Sequence, residues 1–276
     1  MLRLPGVQIG QAINRSHPLA RDLRHWWIGL PGRSGGSRLY DIAGARNATL
    51  ANGAEWRGGS IALDGSDDHI ALGTLDLSAY SALWLSAWIY RPTAWSGVYM
   101  LFEITDDGAQ NVGGFAVYSV DTAIRYFIRG DVGQNARDTD GTSPPVGEWF
   151  CLDVIVNFGG GDPEGTIYFN GVAQPYGGFS VTGDNTSSAR FAASSAWLGI
   201  RNGSSLAFGG SVGSVMLRGN QSGFSSSLVA PNYLEARRGF PTLLNRRRLS
   251  LDVPQSSGGG SVLPIFRHHY VSQGIA

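Results

Sequence analysis

The stretch from Leu83 to Tyr90 carries large apolar side chains at both sets of alternating positions. One set holds Leu83, Leu85, Ala87 and Ile89, and the other holds Trp84, Trp88 and Tyr90. Successive side chains of a strand point to opposite faces, so a strand that is apolar at both sets has to be covered on both faces. This pattern predicts a central strand of a β-sandwich.

A second stretch, from Phe150 to Asn157, alternates differently. One face is wholly apolar and the other is mixed: the first holds Phe150, Leu152, Val154 and Val156, the second Cys151, Asp153, Ile155 and Asn157. A mixed face is typical of a strand that is half exposed. We therefore expect this strand in the sheet that faces the first one across the core.

Turn-forming residues separate many further short apolar runs in the 276 residues, which include 40 Gly and 12 Pro. Asn170-Gly171 between two apolar runs predicts a hairpin with a type I′ turn. Ser225 predicts the start of a short helix that ends before Gly239. The other runs predict strands at 23–30, 60–63, 68–72, 98–104, 114–120, 123–129, 196–201 and 211–218.

Five motifs along this pattern resemble those of one family of domains. They are Tyr40-Asp41 before Asn47-Ala48-Thr49-Leu50, then Leu63 to Ile70, Leu85 to Ile89, Gly147-Glu148-Trp149, and Ile167 to Gly171. From about Trp26 to Phe240 the chain resembles laminin-G-like or concanavalin A-like jelly-roll domains. The resemblance implies an all-β, antiparallel, two-sheet jelly-roll sandwich with one short C-terminal helix. It is specific for a fold and not for a ligand.

The two ends of the chain lack this pattern. We expect residues 1–20 and 243–276 to form extended arms on either side of a jelly-roll domain at residues 21–242. The flanks 13–20 and 237–248 resemble those of such domains encoded by tailed bacteriophages. This likeness implies a non-enzymatic structural protein of the virion, as a capsid decoration, minor capsid or tail component. It also implies a homo-oligomer within that assembly.

The arms supply the predicted contacts with other virion proteins. An arginine run and a histidine pair mark the C-terminal arm, so the partner-binding candidates are Arg246, Arg247, Arg248, His268, His269 and Tyr270. We expect interfacial carboxylates as the groups that the arginines bind. The alternative function is a carbohydrate-binding module that recognises a cell-surface glycan. The long unpatterned ends favour the structural role, because a free-standing lectin has no use for them.

Charge and composition narrow the classes of partner. The formal net charge is +0, from 21 basic and 21 acidic residues, so no global field favours nucleic acid or a membrane surface. No segment approaches the ~20 apolar residues that a membrane helix needs. Cys151 is the single cysteine, which excludes an intrachain disulfide. We expect neither a membrane nor nucleic acid as a partner.

No acids near a strand have the placement that glycoside hydrolysis needs. That reaction uses two carboxylates that flank one bond, and acids on one strand share a face only at alternating positions. Glu103, Asp106 and Asp107 do not have this spacing. We therefore expect a protein that is not an enzyme.

Two ligand sites are candidates. Asp64, Asp67 and Asp68 place carboxylate oxygens, which calcium prefers, around one turn. We favour the competing interpretation, in which these side chains bond their own backbone and no cofactor is required. Trp95, in a loop between Pro92 and Gly97, is the tryptophan that we expect to meet a ligand. The other tryptophans mostly fall in strand patterns, which predict core positions.

Overall fold

Short antiparallel strands separated by Gly, Asn and Asp turns make up most of the fold. The computed structural model describes residues 12–29, 36–44, 46–105, 114–129, 134–157, 164–182 and 194–245. All of them lie in the first of two compact units, Met1–Arg246. The second unit, Arg247–Ala276, lies outside the described residues.

The described strands are numbered in chain order. They are β1 (Ala12–Ile13), β2 (Leu23–Ile28), β3 (Arg38–Asp41), β4 (Ala48–Ala51), β5 (Glu55–Arg57), β6 (Ser60–Asp64), β7 (His69–Leu75), β8 (Ala82–Tyr90), β9 (Val98–Thr105), β10 (Gly114–Val120), β11 (Ala123–Arg129), β12 (Gln134–Thr139), β13 (Trp149–Asn157), β14 (Glu164–Phe169), β15 (Val172–Ala173), β16 (Tyr176–Thr182), β17 (Ser194–Leu198), β18 (Gly209–Asn220) and β19 (Leu244–Asn245). The described helices are two 3-10 turns, Pro18–Ala20 and Ser226–Leu228, and α1 (Val229–Arg237). In this described part, no helix has the length and apolarity to span a membrane.

The first sheet, sheet 1, is built around β8. This strand lies between β18 and β13, and β14 and β15 continue the sheet beyond β13. The long strand β18 pairs on its other side with β6 through its first half and with β2 through its second half. β5 pairs with β6 and forms the end of the sheet there.

The second sheet, sheet 2, has the order β4-β7-β17-β9-β10-β11-β12-β16. β3 connects the two layers, because it pairs with β2 of sheet 1 and with β4 of sheet 2. All of these pairings are antiparallel. The predicted all-β, two-sheet sandwich with one short C-terminal helix is therefore confirmed.

β13 lies beside β8 in sheet 1, so the prediction that it belongs to the facing sheet is wrong. The two strands pair along their whole length, from Trp149 opposite Tyr90 to Asn157 opposite Ala82. Alternation reports which face a side chain takes and not which strand is its neighbour. The mixed face of β13 is not half exposed either, since most of its side chains are buried, including that of Asp153.

Side chains of sheet 1 enter two separate cores. Trp26 and Trp27 are both fully buried, but Trp27 joins the main core between the sheets and Trp26 joins a cluster on the outer face of sheet 1. α1 lies over this outer cluster, and Trp88 stacks on Tyr233 of α1 with ring centroids 6.1 Å apart. This helical cover explains why β8 is apolar on both faces.

A buried polar network fixes α1 to the sheet. Asn232 of α1 donates from Nδ2 to Asp153 Oδ1 (3.1 Å) and to Ser86 Oγ (3.0 Å). Its Oδ1 accepts from Arg218 Nη2 at 2.9 Å, and the Arg218 guanidinium lies 4.2 Å from the ring centroid of Trp84. Burial raises the pKa of Asp153 and lowers that of Arg218 to about 10. Removal of one member therefore leaves buried polar groups without partners.

The described parts of both predicted arms lie on the sandwich itself. β1 pairs with β19, and Leu19, Ala20 and Leu243 are all buried in the cluster beneath α1. Segments 12–20 and 243–245 therefore pack on the domain. The remainder of the predicted arms, residues 1–11 and 246–276, lies outside the described residues.

The motif around Asp41 is a turn built on one buried carboxylate. Asp41 Oδ1 accepts from the backbone N–H groups of Trp26 (2.9 Å), Ala43 (3.0 Å) and Gly44 (2.9 Å). Its Oδ2 hydrogen-bonds Nδ1 of His25 at 2.7 Å. Burial alone would raise the pKa of Asp41, but these hydrogen bonds outweigh burial and lower the pKa to about 2. The role of this motif is therefore structural: its carboxylate holds the turn together.

Two local predictions are confirmed. Asn170 and Gly171 have φ angles of 52° and 81°, and the β14–β15 hairpin closes around them, as a type I′ turn requires. Ser225 accepts from the N–H of Ser227 at the start of the helical segment, and Gly239 beyond α1 has a φ of 80°. Both features can be predicted from the sequence because the turn and the helix ends depend only on residues that are close together in the chain.

Candidate functional site

One row of side chains crosses five strands on the outer face of sheet 1. The strand register brings together, in order across the sheet, Glu55 of β5, Ala62 of β6, Ser211 of β18, Tyr90 of β8 and Trp149 of β13. Residues next to them in the chain pack into or against the main core, so the row itself points outward.

The helical cover of sheet 1 ends at this row. Trp88 is buried in the cluster beneath α1, whereas Tyr90, the next outward residue of β8, is half-buried. Ala62 and Ser211 are small, so they leave a depression between Glu55 and Tyr90, whose strands are three spacings or about 14 Å apart. The depression has a volume of about 450 Å³, and we call it the groove.

Tyr90 lines one wall of the groove, and Trp149 packs against Tyr90 without lining the groove itself. The rings of Tyr90 and Trp149 pack with centroids 5.8 Å apart and planes inclined by 44°. Trp149 in turn packs against the cluster beneath α1. The Tyr90 ring is therefore held in place from behind and presents apolar surface and a hydroxyl group at the groove.

The turn between β6 and β7 forms an acidic rim, which consists of Asp64, Asp67 and Asp68. One carboxylate oxygen of each lies within 4.8 Å of the others. The N–H of Ser66 donates to Asp64 Oδ1 at 2.7 Å, and the N–H of Asp64 donates to Asp68 Oδ2 at 3.0 Å. Asp64 and Asp68 therefore bond backbone groups of their own turn, as the favoured interpretation of this sequence predicts.

Negative charge dominates the groove. The N–H of Ser66 is the main cause that lowers the pKa of Asp64. Burial is the main cause that raises the pKa of Asp68, and the negative charges of neighbouring acids add to it. Arg57 also lines the groove, but its Nε donates to Glu55 Oε1 at 2.7 Å. The acidic rim thus has no cationic side chain of its own among the described residues that line the groove.

The acidic rim is the place where a cation could bind. Calcium takes about six to eight oxygen ligands, and carboxylates are among its preferred ones. The rim supplies three carboxylate side chains, two of which already bond the backbone of the turn. Water or a ligand would have to complete the coordination. Calcium binding is therefore the untested alternative to the favoured interpretation, in which the turn requires no cofactor.

Trp95 does not meet solvent, so the exposure expected of this loop residue is wrong, whereas its ligand-binding role stays a prediction. Its side chain is 5% exposed and belongs to the main core. The ring packs edge-on against Phe208, with centroids 5.9 Å apart, and the Arg91 guanidinium lies 4.7 Å from its centroid. The loop folds back over the core because burial of an indole is favourable wherever the chain can reach it.

The acids considered for hydrolysis do not form a site in the described residues. Glu103 is fully buried and accepts from the N–H of Asn202 at 2.7 Å, with Arg201 Nε at 3.8 Å. It therefore holds the loop that follows β17. Asp106 and Asp107 lie outside the described residues, as do the predicted partner-binding residues Arg246, Arg247, Arg248, His268, His269 and Tyr270.

Sequence reasoning identified the acids of the rim but missed the other residues that line the groove. Tyr90 is the last apolar residue of a strand pattern, which predicts a core position, and Ala62 and Ser211 carry no signal at all. The row exists because β18 pairs with both β6 and β8: Ser211 lies opposite Ala62 and Tyr90, which precede it by 149 and 121 residues. Only the register could have revealed it.

No protein-family model matches the chain, and no curated protein matches it. Solved structures do match. The Trypanosoma rangeli sialidase in its covalent intermediate with 2,3-difluorosialic acid is 15% identical, with a TM-score of 0.57 over 78% of this chain and 33% of the sialidase. The binding domain of botulinum neurotoxin serotype G is 15% identical, with a TM-score of 0.52 over 77% of this chain and 50% of that one.

A third match is to a whole domain. Domain 4 of AbnA, a GH43 extracellular arabinanase from Geobacillus stearothermophilus, solved in complex with arabinotriose, is 17% identical, with a TM-score of 0.50 over 76% of this chain and 97% of that domain. The chain thus spans a third of the sialidase and half of the toxin domain. None of the three is described as a laminin-G domain or a phage protein. The chain shares the β-sandwich fold of these proteins.

Proposed function

We propose that the chain is a non-enzymatic glycan-binding module that holds its ligand in the groove. The observation that carries this proposal is the outward row from Glu55 to Trp149, in which two small central residues separate an aromatic wall from a carboxylate wall. A volume of about 450 Å³ lies within the usual range of ligand sites.

The chemistry of the two walls suits a sugar. A pyranose or furanose ring has an apolar C–H face that can lie on an aromatic ring such as Tyr90, and hydroxyl groups at its edge. Carboxylates accept hydrogen bonds from those hydroxyl groups, and the Ser211 hydroxyl both donates and accepts. A few directed polar groups beside an apolar surface are typical of small-ligand sites.

The placement of the acids favours binding without hydrolysis. Glycosidases hold two carboxylates on opposite sides of the bond that they cleave. The acidic rim comes from one turn and lies on one side of the groove, and Glu55 is paired with Arg57. These contacts leave the groove without an opposed pair of acids among the described residues.

The similar structures support a binding role more than a virion role. The AbnA domain was solved with arabinotriose, and another of the botulinum neurotoxin structures is a receptor binding domain. We therefore propose the carbohydrate-binding alternative in place of the structural virion protein. The virion location, the contacts with other virion proteins and the homo-oligomer remain predictions that rest on the resemblance of the flanks.

A glycan array probed with the full chain, followed by calorimetry on the best glycan, tests this proposal. We expect saturable binding that Tyr90→Ala weakens by about tenfold or more, and that Tyr90→Phe largely retains because the stacking surface remains. Tyr176→Ala is the matched control, since Tyr176 is 42% exposed on β16 of sheet 2, and it should bind as the wild type does. Absence of binding on the array, or equal affinity of Tyr90→Ala and the wild type, would overturn the proposal.

A further inference from the structure

The charges along the groove point to the class of glycan, an inference that rests on the proposed function. Glu55 and Arg57 neutralise each other on β5. The acidic rim has no such compensation from the described residues that line the groove. The uncovered face of sheet 1 therefore carries a local excess of negative charge in a chain whose formal net charge is +0.

The spacing within the rim suits a compact cation. An ammonium group is a compact charge with three N–H donors. The rim offers one carboxylate oxygen from each of three acids, all within 4.8 Å of one another. Two of these acids, Asp64 and Asp67, are exposed, and Asp68 is buried behind them. An ammonium group placed here would satisfy its donors and compensate the rim.

An acidic glycan meets the opposite situation. A carboxylate or sulfate group on the sugar would add a further negative charge beside the rim. Among the described residues that line the groove, its one cationic partner would be Arg57, which already pairs with Glu55. The acidic group and the carboxylates of the rim would repel each other, and this repulsion is strongest at low ionic strength.

We infer that the groove binds an amino sugar that carries a free ammonium group, with the ring on Tyr90 and the ammonium at the acidic rim, and that it rejects acidic glycans. The position of the ring on the aromatic wall sets the register of the sugar. The rim then selects it by charge.

The test compares oligosaccharides that differ in charge but not in backbone. Calorimetry of the full chain with a glucosamine oligomer, an N-acetylglucosamine oligomer of the same length and an oligogalacturonate is done at about pH 6, where carboxylates are ionised and the amine is protonated. We expect the glucosamine oligomer to bind about tenfold tighter than its acetylated form, and no heat from the oligogalacturonate. The preference should shrink at high salt.

A pair of variants assigns the preference to the rim. Asp64→Asn with Asp67→Asn should remove the preference, so that the glucosamine oligomer and its acetylated form bind this variant with equal affinity. Asp121→Asn is the control, because Asp121 is an exposed acid in the β10–β11 turn whose φ of 51° asparagine also tolerates.

The outcomes separate the two proposals. Equal binding of the acetylated and free oligomers, tighter binding of any neutral or acidic glycan on the array, or a preference that survives the double substitution would overturn the amino-sugar inference while leaving the glycan-binding module in place. Absence of binding to every neutral, amino and acidic glycan would overturn both.

Discussion

Replacement of Asp41 by asparagine tests how the Asp41 turn stabilises the fold. The carboxylate is buried, and its two oxygens hydrogen-bond backbone N–H groups and His25. Its pKa is lowered from 3.8 to about 2. This depression corresponds to about 2 kcal/mol of stability at neutral pH. Asparagine also places an NH₂ group against the N–H of Arg46, which leaves a partly buried donor unpaired and costs about 1 kcal/mol more.

The sign of the pH dependence follows from the direction of the shift. Because the folded-state pKa of Asp41 lies below the unfolded value, its stabilisation is complete above pH 3.8 and is lost as the pH falls toward 2. The carboxylate contribution of about 2 kcal/mol should therefore fall to about 1 kcal/mol at pH 3. The difference between wild type and Asp41→Asn should shrink by the same amount.

Urea denaturation at several pH values measures this difference. We expect Asp41→Asn to lower the free energy of unfolding by about 3 kcal/mol at pH 6 and by about 2 kcal/mol at pH 3. Asp121→Asn, at an exposed turn, should change it by less than about 0.5 kcal/mol at both. A deficit for Asp41→Asn that is the same at both pH values would refute the argument, since the lowered pKa would then not be its source.

Three further predictions concern other parts of the molecule. Trp95→Ala should lower the free energy of unfolding measured in urea by about 3–5 kcal/mol, because the substitution removes a large side chain from the core. A change near zero would show that the ring is exposed. Asn232→Leu should cost about 2–4 kcal/mol because Arg218 and Asp153 lose a buried partner, and an unchanged urea midpoint would show that this network does not hold α1. Added calcium should leave the melting temperature unchanged, because the acidic rim already bonds its own turn; a rise that Asp67→Asn abolishes would establish a metal site.

The sequence predicts those features that depend on near neighbours in the chain. The turn at Asn170-Gly171, the end of α1 at Gly239 and the two-faced burial of β8 all follow from backbone preference or side-chain alternation. The covering layer on the outer face of β8 could not be identified in the same way, because α1 follows that strand by well over 100 residues. A second sheet and a helix explain an apolar strand face equally well.

The sequence does not predict which strands pair or which way a loop side chain points. The mixed face of β13 suggests exposure, but Asp153 is buried because its Oδ1 accepts from Asn232 and Trp84 and its Oδ2 accepts from the thiol of Cys151. The loop position of Trp95 suggests exposure too, yet its ring enters the core beside Phe208. Each outcome depends on contacts between residues far apart in the chain, which alternation does not encode.

Amide chemical-shift mapping with the best glycan from the array locates the ligand on the sandwich. Binding in the groove predicts that the largest changes occur at Ala62, Tyr90 and Ser211, which meet on the outer face of sheet 1. The half-buried aromatic residues on the outer face of sheet 2, Tyr118 and Trp197, should not shift. Changes confined to Tyr118 and Trp197, with the groove unaffected, would contradict the assignment of the binding site.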